Sequence, residues 1–209
     1  MKNTVQVWVS SAKGPLDWLN PTERERLSRY KSIAAATDFL VGTTLARFAL
    51  GAWLGVPEAE VPLDRTCERC GAHHGRPRVA GANLSIAHAT GTALVAVGDN
   101  PVGVDLEPLG RAVPADCGAA DLHDWVRKEA ALKLTGDGLR APMGLVRIDD
   151  GQITQWPSDE LPDIVIRDLD IPGFTAAVAV APGAVVELRF TTGPDERRGR
   201  PDPRISPGA

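Results

Sequence analysis

Four charged residues near the middle of the chain have the types and spacing to hold a divalent cation against a phosphate ester. Asp105 and Glu107 stand two apart in Gly103-Val104-Asp105-Leu106-Glu107, and Glu129 and Lys133 stand four apart in Trp125-Val126-Arg127-Lys128-Glu129-Ala130-Ala131-Leu132-Lys133. Three carboxylates gathered on one spot carry too much negative charge to stay unpaired, and a hard cation with oxygen ligands is the ordinary remedy. Mg²⁺ suits such a site because it keeps several waters and binds through a few carboxylates together with substrate phosphates. Lys133 would neutralise a phosphate oxygen, or serve as a base if desolvation lowers its pKa. The chemistry that this set of residues favours is phosphoryl-type transfer.

These residues meet only if a strand end reaches a helix. Residues 102–107 alternate around β-branched valine and stop before Pro108, so they read as a strand, and residues two apart on a strand share a face. Residues 121–135 carry apolar positions at helical spacing (Leu122, Trp125, Val126, Leu132), with Asp121 as N-cap and Gly136 as the stop. On that helix Glu129 and Lys133 lie one turn apart on one face. Taken singly, the second pair would be an everyday helix ion pair worth about 0.2–0.5 kcal/mol, and the first a solvated strand face. Their order along the chain favours a shared site.

The two segments resemble the 4′-phosphopantetheinyl transferase superfamily in its larger, surfactin-synthetase type. Members carry Gly-Val/Ile-Asp-Val/Ile-Glu and then aromatic-x-x-Lys-Glu-Ala/Ser-x-x-Lys, and both stand here nearly letter for letter. Further similar segments are Asn20-Pro21-Thr22-Glu23-Arg24-Glu25-Arg26-Leu27, the helix from Phe39 through Arg47, the turn Gly75-Arg76-Pro77, and Asn83-Leu84-Ser85-Ile86-Ala87-His88. The resemblance covers about residues 15–180.

It implies an enzyme that moves phosphopantetheine from coenzyme A to a serine of an apo acyl- or peptidyl-carrier protein, releasing adenosine 3′,5′-bisphosphate. It further implies Asp105, Glu107 and Glu129 as ligands of Mg²⁺, with Mn²⁺ as the alternative ion. Glu129, Lys133 and His88 would be catalytic. Arg26, Arg29, Arg76, His88 and Lys133 would contact the pyrophosphate or the 3′-phosphate, a task that suits arginine because its planar fork donates two parallel hydrogen bonds. Three positions depart from the family pattern. Asp38 stands where a basic residue is usual, and Ala87 where a serine precedes the histidine. Only a short segment rich in Ala, Pro, Gly and Asp separates Glu107 from Trp125, where the family places a longer helical segment that helps shape the carrier-protein surface. These departures motivate an alternative: a catalytically degenerate paralogue that binds coenzyme A or a carrier protein.

The chain also looks internally duplicated. A helical stretch at 33–54 precedes strands around 84–88, 94–97 and 102–107, and a second at 121–135 precedes strands around 164–166, 176–180 and 185–188. The expected fold is α+β, with two similar halves about a pseudo-twofold axis, each a small antiparallel sheet packed with a long helix. The expected divisions are residues 1–108, residues 109–192, and a disordered tail over 193–209 that has no apolar period and many breakers. A ligand between the halves would draw residues from both, and fusion of the halves in one chain favours a monomer.

Composition narrows the class. With 209 residues, 43% of them hydrophobic, the chain can bury about 70% of its unfolded surface. A net charge of −4 disfavours a general nucleic-acid partner. No run approaches the ~20 apolar residues of a membrane span, and Met1-Lys2-Asn3-Thr4 leads into an alternating strand rather than a signal sequence, so a cytoplasmic protein is expected. Three cysteines, an odd number, point to reduced thiols. Cys67 and Cys70 have zinc-ligand spacing, with His73 or His74 as a third candidate, but a second CxxC is absent. The segment reads first as a cysteine-bearing loop leading into Gly75-Arg76-Pro77, with a structural Zn²⁺ or a zinc-stabilised interaction module as the alternative.

Overall fold

The computed structural model describes residues 3–193. The tail expected from residue 193 onward lies outside the described residues, save for Gly193 itself. Along the chain run β1 (Thr4–Ser10), α1 (Pro21–Ser28), α2 (Ile33–Leu54), β2 (Asn83–Ala89), β3 (Thr92–Gly98) and β4 (Gly103–Pro108). There follow α3 (Leu122–Thr135), β5 (Arg147–Asp149), β6 (Gln152–Gln155), β7 (Val165–Leu169), β8 (Phe174–Val180) and β9 (Val185–Phe190). The fold is α+β, as the alternation of helical and strand periods predicts.

The strands form two sheets, in the orders β2-β3-β1-β9 and β4-β8-β7-β6-β5. Among the described residues, the strands pair antiparallel except for β1 with β9, which are parallel. Alternation along the two central strands explains the layering. On β3, Leu94 and Ala96 join β1, β4 and β8 residues in one core between the sheets, while Ala93, Val95 and Val97 face α2. On β8, Ala176, Val178 and Val180 enter that shared core, while Ala177 and Ala179 face α3. The order of layers is therefore α2, first sheet, second sheet, α3. A strand buried on both faces needs apolar residues at every position, which is why Ala93–Val97 and Ala176–Val180 read as continuous apolar runs.

Two strands cross between the sequence-level halves. β4 belongs to the stretch before residue 108, yet it pairs with β8 in the second sheet; β9 comes last, yet it lies beside β1 in the first. The simple expectation of one antiparallel sheet per half needs that correction. The reason is edge occupancy: β8 already has β4 on one side and β7 on the other, so β9 finds its open edge at β1. The β5–β6 hairpin, too short for a clear period, was not anticipated from sequence.

Helix boundaries follow from their caps. Asn20 and Glu23 form a reciprocal capping box at the start of α1, Ser32 caps α2, and the Asp121 carboxylate accepts from the Asp124 N–H at 2.8 Å to start α3. Gly55 and Gly136 end α2 and α3 in the left-handed region. One sequence expectation is amended here. α2, with 22 residues, is long and apolar enough by length and composition to cross a membrane, and 61% of its most apolar window is buried inside the protein. Its apolar character is that of the core it builds with β2 and β3.

Candidate functional site

Gly103 sets the distance between β4 and α3. A Cβ there would lie 1.9 Å from the Ala130 carbonyl oxygen and 2.6 Å from the Leu134 nitrogen, so only glycine lets the strand lie against the helix backbone. Odd positions of β4 then look toward α3, while Val104 and Leu106 enter the core between the sheets. Asp105 is thereby carried to the face of α3 that holds Glu129 and Lys133. Lys133 Nζ donates to Asp105 Oδ1 at 2.6 Å. Asp105 is 6% exposed and Glu129 7%. Asp105 Oδ2 and Glu129 Oε1 are buried and make no hydrogen bond among the described residues. Burial, with the Asp105 charge added, raises the Glu129 carboxyl above its ordinary range, against the pull of Lys133 and Arg111.

A second link places β2 beside this cluster. The Val104 N–H donates to Ser85 Oγ at 3.1 Å, tying the edge strand of one sheet to the edge strand of the other. His88 and Ile86 then face α2, where Gly42 leaves room for them: a Cβ at 42 would meet His88 Cδ2 at 3.1 Å. Between α2, β2 and α3 opens a cavity of about 270 Å³ lined by Arg26, Arg65, Arg76, His88 and Lys133, among others, with no carboxylate among the described lining residues. It shares Arg76, Pro77, Leu84 and Gly136 with an adjoining cleft of about 860 Å³. Lys133 belongs to both the cavity and the carboxylate cluster.

The cavity has the electrostatics of a polyanion receptor. Arg26 and Arg65 lie over the Phe39 ring, with guanidinium carbons 5.0 and 6.0 Å from its centroid. Burial, with Arg26 and Arg47 nearby, pulls Arg65 down to about 10 despite the opposing Glu23, so it is still a cation at neutral pH. Arg65 Nε and Thr43 Oγ1 are buried there without a hydrogen-bond partner among the described residues. Arg76 is lowered by desolvation and by Arg78. His88 keeps an open face at the cavity mouth, and desolvation by the walls lowers it, Asp38 opposing and Lys133 assisting. A site of this kind favours a bound anion over water at several points at once.

The residues proposed from sequence do not all converge. Arg26, Arg76, His88 and Lys133 line the cavity. Arg29 does not: it is 73% exposed and paired with Glu25 at 2.5 Å along α1. Glu107 pairs with Arg111, and among the described residues it forms no group within 4.8 Å with Asp105 and Glu129. Asp38, the acidic departure on α2, accepts from the Gly91 N–H at 2.6 Å and so pins the β2–β3 turn. The short segment after β4 forms turns rather than a helix and is held by Lys128, which donates to the Gly118 carbonyl and pairs with Asp124, both at 2.7–2.8 Å. Glu23 is 3% exposed and accepts from the buried Arg47.

Arg65 and Thr43 were not anticipated. Nothing in local spacing marks either, since Arg65 stands alone before Thr66-Cys67 and Thr43 is one small polar residue in an apolar helix. Three metal-type ligands come within 4.8 Å of one another at Cys67, Cys70 and His74, and among the described residues the carboxylates form no such closed group.

The chain is thus an α+β protein in which a cavity with cationic lining residues adjoins buried carboxylates between two sheet-backed helices. Comparison with known proteins adds a relative: the chain is 24% identical over 208 residues to the 4′-phosphopantetheinyl transferase psf-1 of Bacillus pumilus, covering 85% of this chain and 87% of that protein. No family model matches the chain.

Proposed function

We propose that this protein transfers 4′-phosphopantetheine from coenzyme A to a serine of an apo acyl- or peptidyl-carrier protein. The observation that carries the reading is the contact of two features through Lys133: a cavity whose charged lining among the described residues is all cationic, and two buried carboxylate oxygens on Asp105 and Glu129 that have no partner among those residues. The similarity to a transferase of this name along most of both chains supports it.

The unpartnered oxygens fit a hard cation, and Asp105, Glu129 and, after turning from Arg111, Glu107 would hold it. When bound, Mg²⁺ or Mn²⁺ supplies charge neutralisation at the pyrophosphate. Arg26, Arg65 and Arg76 bind phosphate oxygens, and His88 donates at the cavity mouth. Lys133 moves its charge from Asp105 toward the β-phosphate. Glu129 accepts the serine proton as the serine oxygen bonds to the β-phosphorus. The bond from that phosphorus to the bridging oxygen breaks, and adenosine 3′,5′-bisphosphate leaves. Little covalent help is possible in such a reaction, so positioning and charge lower the barrier. All of these residues come from one chain, which makes the monomer the proposed working unit.

A second reading has its own observation. Glu107 is engaged by Arg111, and the segment that follows it lacks a helix; a degenerate binder of coenzyme A would look the same. Intact-mass spectrometry of apo carrier proteins incubated with the protein, coenzyme A and Mg²⁺, with an EDTA control, separates the two. A metal-dependent gain of one phosphopantetheine arm establishes the transferase. Binding of coenzyme A without that gain establishes the binder.

A further inference from the structure

Two of the three arginines that line the cavity, Arg65 and Arg76, are delivered by a narrow ribbon whose tip has no apolar burial to hold it. Asp64 and Arg78 exchange two backbone hydrogen bonds at 2.8 Å, the Gly75 N–H donates to the Arg65 carbonyl at 2.7 Å, and the Cys67 N–H donates to the Ala72 carbonyl at 2.8 Å. The two legs touch so closely at Gly75 that a Cβ there would sit 2.7 Å from the Thr66 carbonyl oxygen. Residues 68–74, at the tip, are all exposed. No apolar burial fixes them, and the conformational entropy of ordering such a tip needs an opposing contribution.

That tip carries Cys67, Cys70 and His74, whose ligand atoms all lie within 4.8 Å of one another. Cys70 Sγ is 3.0 Å from His74 Nε2. The turn is shaped to bring the sulfurs together: the Gly71 N–H donates back to the Cys67 carbonyl at 2.8 Å, and Gly71 takes the left-handed conformation, φ 74°, that this reversal requires. Tetrahedral Zn²⁺, with bonds of about 2.3 Å to sulfur and about 2.0–2.1 Å to imidazole nitrogen, spaces such ligands about 3.5–3.8 Å apart. Exposed side chains at the tip can open by the few tenths of an ångström needed. Two soft thiolates with one imidazole select zinc over magnesium or calcium.

We infer that Cys67, Cys70 and His74 bind a structural Zn²⁺ that clamps the tip of the 64–78 ribbon and thereby presents Arg65 and Arg76 to the cavity. Cys67 and His74 both line the larger cleft, so water reaches the fourth coordination position. His73, the neighbouring candidate, instead uses its backbone carbonyl to accept from Arg26 Nη1 at 3.3 Å, which fastens the ribbon to α1. This zinc is separate from the hard-cation cluster at Asp105 and Glu129, and the inference stands whether or not the protein turns over a carrier protein.

The test is metal analysis of the full chain purified under reducing conditions without chelators. One Zn²⁺ per chain is expected, lost in Cys67→Ser and in Cys70→Ser, with binding to His74→Ala weaker by more than about tenfold. Co²⁺ added to the stripped protein should give thiolate-to-cobalt charge-transfer absorption. Hydrogen exchange across residues 64–78 should slow on Zn²⁺ addition and not on Mg²⁺ addition, in protein whose circular dichroism is unchanged. Zinc-free protein that takes up neither Zn²⁺ nor Co²⁺ on titration would reduce the cluster to a thiol–imidazole contact and overturn the inference. Zinc retained undiminished by the two serine variants would place the metal elsewhere and overturn it equally.

Discussion

Lys133 Nζ and Asp105 Oδ1, 2.6 Å apart, join the last turn of α3 to the face of β4 that looks toward it. The pair unites the two sequence segments that looked capable of chemistry, and it leaves the second Asp105 oxygen buried and, among the described residues, unpartnered. An ammonium beside one oxygen, and no partner among the described residues at the other, make this contact the meeting point of the cationic cavity and the carboxylates.

Lys133→Met should therefore strand a buried carboxylate. In EDTA the variant should lose about 1–3 kcal/mol of stability, read from urea denaturation, and Mg²⁺ should recover part of that loss because a second cation can take the vacated place. A variant as stable as wild type without Mg²⁺ would mean that Asp105 is not desolvated as its burial indicates.

Glu129→Gln should lower phosphopantetheine transfer by about 10²–10⁴-fold with the fold intact. It should also change the pH dependence of stability. Burial raises the folded-state pKa of Glu129, so the folded protein holds a proton that the unfolded chain gives up. Its stabilising contribution is full below the unfolded value of about 4.3 and is lost as pH rises through the folded value. In metal-free buffer, thermal denaturation should show wild type losing stability relative to the variant as pH rises from about 4 toward neutrality; parallel curves would contradict the burial.

Arg65→Gln and Arg76→Gln should each weaken coenzyme A binding about 10–100-fold, the loss of a hydrogen bond to a charged group at about 1.5–3 kcal/mol. Arg29→Gln should leave it unchanged, because Arg29 is paired with Glu25 on the solvent face of α1. Isothermal titration at two salt concentrations checks the contrast. Equal effects at all three positions would point to long-range charge alone.

Gly103→Ala should damage both the fold and the site. The added methyl group has the Ala130 carbonyl oxygen in its place, and either β4 or α3 must move. A cost of about 1–3 kcal/mol or more, with loss of transfer out of proportion to the fraction unfolded, is expected from denaturation and the mass assay run together.

Arg47→Met should be among the most destabilising single changes. Arg47 is 1% exposed, donates to Glu23 at 2.9 Å and reaches the carbonyls of Glu58, Ala59 and Val61. Breaking a buried pair on one side costs about 3–5 kcal/mol, so the urea midpoint should fall sharply. Coenzyme A binding by the folded fraction should persist, since Arg47 does not line the cavity.

Much of this was legible in the chain itself. The apolar period and the caps define α2 and α3, because helix periodicity and end chemistry are local: Asp121, Gly136 and Gly55 sit within a turn of what they terminate. The alternation of 103–107 puts Asp105 and Glu107 on one face for the same reason. What no local pattern contains is which strand pairs with which. The exchange of β4 and β9 between sheets depends on the edges left open after the other strands have paired, and it is this exchange that carries Asp105 to α3. Nor could spacing separate Arg26, which stacks on Phe39 in the cavity, from Arg29, which turns to water on the same helix. Arg65 and Thr43 acquire meaning only from burial without partners, a property of the packed molecule. The sequence by itself determined the residue types and their local periods; tertiary structure decided which of them share a desolvated space, because that depends on contacts between residues far apart in the chain.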